Sequence, residues 1–132
     1  MIYFRVASQV GQSPDWKWRS TPLTSIQALM GFLKTCGCAR KSSVRVFFSS
    51  SLENMDEMLS RQNNGLVSGS MTAEQFLTKK SIHSMDIVRL EMELGSGRDH
   101  DVPYEYVHPT YTPEVLAWTK LLAKVRNGEL EP

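Results

Sequence analysis

The sequence predicts an α+β domain: a two-layer sandwich in which a mixed sheet of three to five strands carries helices on one face. Three observations predict it. Three segments alternate apolar and polar residues with period two, as half-buried strands do. Stretches with helical apolar spacing lie between and after them. Every candidate strand also carries charge on one face, and an unpaired Arg or Glu there would be costly beneath a second layer of helices.

The elements follow in chain order. Ile2, Phe4 and Val6 share one side of a first strand, with Tyr3 and Arg5 opposite. Trp16-Lys17-Trp18-Arg19 also alternates and reads as a short edge strand. A helix over about 25–35 places Ile26, Leu29, Met30 and Leu33 on one face. Thr24 and Gln27 have capping-box spacing for it, and Gly37 suits its end. Val44, Val46 and Phe48 define the next strand, with Arg45, Phe47 and Ser49 opposite. After the turn Ser49-Ser50-Ser51, a helix carries the stripe Leu52, Met55, Met58 and Leu59, with Ser50 and Glu53 at capping-box spacing. Thr72 and Gln75 announce a short helix containing Phe76 and Leu77. Val88, Leu90, Met92 and Leu94 form the inner side of a further strand, with Arg89, Glu91 and Glu93 outside. A weaker strand is read over 104–107. The last helix has Thr112 as cap, Pro113 in its first turn and a stripe of Val115, Trp118, Leu122 and Val125, and Asn127-Gly128 closes it. Residues 65–70 and 95–103 read as loops.

A length of 132 residues suits a single domain spanning 1–132, and the 41% hydrophobic and 22% charged fractions are those of a globular chain. No apolar run is long enough for a membrane span, and the first residues read as a strand, not a signal peptide. Cys36 and Cys38, separated only by Gly37, are too close for an unstrained disulfide, which points to a reducing, cytoplasmic setting. The formal charge of +1 is unevenly spread: residues 1–50 hold seven basic side chains and the single acid Asp15, so the remainder is net acidic. Either the two halves neutralise each other across the fold, or the basic half meets an anionic partner.

Candidate sites follow from these placements. The outward sheet face would carry Tyr3, Arg5, Arg45, Phe47 and Arg89, with Glu91 and Glu93 at one side. Aromatic and Arg side chains suit a homodimer or other protein interface, and they equally suit stacking on bases with phosphate contacts. The plainer reading is a solvated face on which Arg45 and Arg89 pair with Glu91 or Glu93. Trp16, Trp18 and Arg19 extend the nucleic-acid reading, although ordinary packing of the two indoles explains the alternation as well. The serines at 49–51 have the position of a phosphate-binding turn but lack a Gly-rich loop and lysine, so N-capping accounts for them. A second candidate is the loop containing Arg98, Asp99, His100 and Asp101, with His108 nearby. Its carboxylates and imidazoles have the chemistry of acid–base or metal work, but their spacing matches no established metal pattern. Cys36 and Cys38 at a helix C-terminus are poor candidates for reactive thiolates. Met30, Met55, Met58, Met71 and Met85 suit either core or an adaptable surface.

The expectation is therefore a non-enzymatic interaction module that self-associates through its open sheet face and calls for no cofactor or metal. A nucleic-acid-binding accessory protein is the first alternative, and a small hydrolase or transferase using the Asp99–His108 region is the second.

Overall fold

The computed structural model describes residues 1–10, 16–39, 42–61, 70–79, 82–94 and 113–130. Strand β1 (Tyr3–Val10) is followed by β2 (Lys17–Trp18), helix α1 (Ile26–Ala39), β3 (Ser42–Ser49), α2 (Leu52–Ser60), β4 (Met71–Thr72), α3 (Ala73–Leu77), β5 (Val88–Leu94) and α4 (Pro113–Arg126). The strands form one mixed sheet in the order β2-β1-β3-β5-β4. The pairs β2/β1, β1/β3 and β3/β5 are antiparallel, and β4 joins β5 in parallel. The protein is thus an α+β fold, with an open five-stranded sheet and four helices among the described residues.

Register explains the layering. Phe4 faces Phe48, which faces Val88, and Val6 faces Val46, which faces Leu90. These residues point to one side and are buried with Leu29 and Leu33 of α1, Phe76 of α3, and Trp118, Leu121 and Leu122 of α4. Phe48 lies at the centre, with ring centroids 6.0 Å from Phe4, 5.8 Å from Phe76 and 5.9 Å from Trp118. Alternation therefore identified the inner face correctly.

The other face differs from the expectation of a bare, wet surface. On it the register aligns Arg5 with Phe47 and Arg89, and Ala7 with Arg45 and Glu91. Helix α2 lies over part of this face, so Phe47 is fully buried in a second, smaller cluster with Met55 and Ile87. The physical reason is the stripe Leu52, Met55, Met58 and Leu59, which needs an apolar partner and finds it in Phe47 and Ile87. Among the described residues, α1, α3 and α4 line one side and α2 the other.

The local signals vary in accuracy. Thr72 and Gln75 form a complete capping box: the Gln75 N–H donates to Thr72 Oγ1 at 3.2 Å and the Thr72 N–H to Gln75 Oε1 at 2.9 Å. The first two caps are each one residue later than expected. Ser25, not Thr24, accepts from the Ala28 N–H, and Ser51, not Ser50, accepts from the Asn54 N–H, both at 3.1 Å. Helix α1 continues through Gly37 to Ala39 instead of stopping there. Gly128 does close α4. Its φ is +73°, with Glu129 N–H donating to the Lys124 carbonyl at 3.0 Å and Gly128 N–H to the Val125 carbonyl at 3.1 Å, the paired bonds of a Schellman ending. The two-residue strand β4 falls beyond what alternation can detect. The weak strand read over 104–107 and the cap Thr112 lie outside the described residues.

Candidate functional site

Most of the predicted contact residues gather on the face that α2 partly covers. Tyr3 and Trp18 pack at the edge of the Phe47–Met55–Ile87 cluster, and the Trp18 and Phe47 ring centroids are 5.7 Å apart. Trp18 reaches this face because β2 pairs with β1 so that Trp18 stands opposite Ala7. Two positions earlier, Trp16 lies under Arg45, whose Cζ is 4.0 Å from the ring centroid, a cation–π stack. The intervening residues point elsewhere: Lys17 is exposed, and Arg19 sits 5.4 Å above the Phe32 ring of α1 and donates to the Thr21 carbonyl. Arg19 thus stays next to Trp18 but stacks on α1, apart from the Arg45–Trp16 pair.

The remaining arginines are engaged by acids. Arg5 donates from Nε to Asp56 Oδ1 and from Nη2 to Asp56 Oδ2, both at 2.9 Å, and from Nη1 to the Ser20 carbonyl at 2.9 Å. One guanidinium therefore joins β1, the turn after β2, and α2. Arg45 Nε stands 3.3 Å and Arg89 Nε 3.6 Å from the same oxygen, Glu91 Oε1. Cross-strand pairing on this face was the plainer sequence reading; Arg45 and Glu91 pair in this way between β3 and β5, whereas Arg89 meets Glu91 along β5 itself.

Between Trp18 and the C-terminal half of α2 lies a recess of about 230 Å³, lined by Arg5, Trp18, Arg19, Asp56, Leu59 and Ser60. Trp18 and Leu59 give it apolar surface. Arg5 and Asp56 neutralise each other in its wall, and the Ser60 hydroxyl is committed as a donor to the Glu57 carbonyl at 2.7 Å. Such a recess accommodates an apolar group by contact with an indole and a leucine. It lies below the ~300–1,000 Å³ typical of sites for small molecules and cofactors. No family model, curated protein or solved structure matches this chain. The reading of this face therefore rests on its own geometry.

The other candidates are placed as follows. Arg98, Asp99, His100, Asp101 and His108 lie outside the described residues. Cys36 and Cys38 belong to α1, with side chains outside those described. The serine turn spends its hydroxyls locally, since Ser49 Oγ accepts from the Ser51 N–H and Ser51 Oγ caps α2. Met55 is core, Met30 and Met71 pack against the larger cluster, and Met85 is exposed. Among the described residues, no three His, Cys, Asp or Glu side chains approach closely enough to hold a metal ion, and no helix is long and apolar enough to cross a membrane.

Sequence reasoning missed two acids. Asp56 is one of three acidic residues on α2, and nothing local marks it as the partner of a residue 51 positions away. Asp86 is buried, accepting from Lys79 Nζ at 2.6 Å and from the His83 N–H at 2.9 Å. Burial pushes its carboxyl up. The Lys79 and His83 hydrogen bonds and the charges of both residues outweigh that, holding it below its ordinary value.

Proposed function

We propose that this protein is a non-enzymatic interaction module that takes a protein partner, a second copy of itself in the simplest case, on the sheet face beside α2. The recess between Trp18 and Leu59 carries this reading. Its size suits one anchoring side chain from a partner surface, and interfaces concentrate their energy in such pockets. Trp16, Arg45 and Arg89, linked to one another through the Arg45 stack and Glu91, are residue types enriched at protein contacts.

Pairing of Arg5 with Asp56, and of Arg45 and Arg89 with Glu91, supports a protein partner over nucleic acid, because these cations already have counter-charges. The test is molar mass by light scattering from micromolar to millimolar concentration, for wild type and Leu59→Arg. Mass that rises toward a dimer in the wild type and not in the variant supports self-association. A wild-type monomer throughout removes it. Retention of mixed single-stranded DNA and RNA on a filter at low salt, lost steeply as salt rises, would move the reading to nucleic acid.

A further inference from the structure

We infer that α2 is a lid on the second sheet face, latched by the Arg5–Asp56 pair, and that it opens while the sheet and helices α1, α3 and α4 stay folded. The apolar packing of the molecule is divided in two. The larger cluster buries residues from β1, β3, β5, α1, α3 and α4, and includes none from α2. The smaller one has Phe47, Met55 and Ile87 as its fully buried members, and of these Met55 alone comes from α2. Leu52, Met58 and Leu59 are only partly buried beside it.

No ladder bond depends on α2. Strand β3 beneath it is paired along its length with β1 on one side and β5 on the other. Lifting the helix would leave every one of those pairings in place. Among the described residues, the seam is crossed by side-chain contact, the bidentate Arg5–Asp56 link, and a longer bond from Asn54 Nδ2 to the Ser84 carbonyl at 3.3 Å. The seam is also incompletely filled, because the recess lies between Leu59 and Ser60 of α2 and Trp18 of β2. Segments with few buried apolar contacts open below the free energy of global unfolding. Opening uncovers Phe47, Ile87 and the inner sides of Tyr3 and Trp18, a continuous apolar strip. The inference goes beyond the interaction reading, since it describes how much of that face is available and holds whether or not a partner exists.

Native-state hydrogen exchange with mass spectrometry tests it. Amides of Leu52–Ser60 are expected to exchange at least about tenfold faster than those of β3, and Asp56→Asn to accelerate the α2 amides by about another tenfold while β3 is unchanged. Equal protection of α2 and β3 in the wild type would overturn the inference. A second probe avoids the latch variant: Met55→Cys in a Cys36→Ser, Cys38→Ser background. Its buried thiol should be alkylated under native conditions faster than the chain unfolds globally. Alkylation no faster than global unfolding would overturn the lid.

Discussion

Arg5 on β1 and Asp56 on α2 meet through two parallel hydrogen bonds of 2.9 Å, although they stand 51 positions apart. This pair fixes where α2 lies on the sheet. Removing the carboxylate by Asp56→Ala leaves a guanidinium whose side chain is only 16% exposed, still donating to the Ser20 carbonyl on the turn. The expected cost is about 1–2 kcal/mol, more than a surface ion pair contributes. Urea denaturation of Asp56→Ala, Arg5→Ala and the double variant measures it, and additive single effects would show that the pair is not coupled.

Phe47 separates two pictures of the second face. On a bare wet face, Phe47→Ala would cost little. Buried against Met55, Ile87 and Trp18, it should cost about 3 kcal/mol or more. The free energy of unfolding of this variant is the measurement, and a change below about 1 kcal/mol would contradict the packing described.

Asp86 gives the molecule an acid-sensitive clasp between the end of α3 and the start of β5. Its carboxyl titrates lower in the folded chain than in the unfolded one, so the unfolded state takes up protons first as pH falls. The stabilisation is fully present above the ordinary carboxylate value of about 4 and is lost as pH drops through the lower folded value. Melting temperatures of wild type and Asp86→Asn should differ most at neutral pH and converge in acid. A difference independent of pH would remove the ionised carboxylate from the explanation.

Two glycines should respond in opposite directions. Gly128 has φ +73° and open space around an added Cβ, so Gly128→Ala meets only backbone strain, costing about 1–2 kcal/mol. Gly31 lies in α1, is exposed and also has open space, so Gly31→Ala should stabilise by about 0.5–1 kcal/mol through helix propensity. Thermal melts of the two variants check both signs.

The inner sheet face was legible because Phe4, Val6, Val46, Phe48, Val88 and Leu90 repeat with period two, and side chains at that period must share a side. Thr72 and Gln75 were legible because a capping box is local. The second face was read as wet because Arg5, Arg45, Arg89 and Glu91 dominate it. The counter-signal was a Phe among those charges together with Ile87 and an apolar stripe on α2 lacking any assigned partner. Joining them requires long-range geometry that periodicity does not contain. The contact residues Trp16 and Trp18 were found as types and Glu91 as the partner of Arg45, but Asp56, the acid that neutralises Arg5, was not, since it comes from a distant element.

The short segment after β1 also decides how this molecule can associate. Leu23 exchanges both backbone bonds with Phe4, the Arg19 N–H takes the Val6 carbonyl, and Trp18 and Lys17 align with Ala7 and Ser8. The chain folds back along β1, one of its two eight-residue strands, and occupies positions where a foreign strand would zip on. A two-residue edge strand is a poor template for pairing, so strand addition along β1 at that border is opposed and association on this side is left chiefly to side chains.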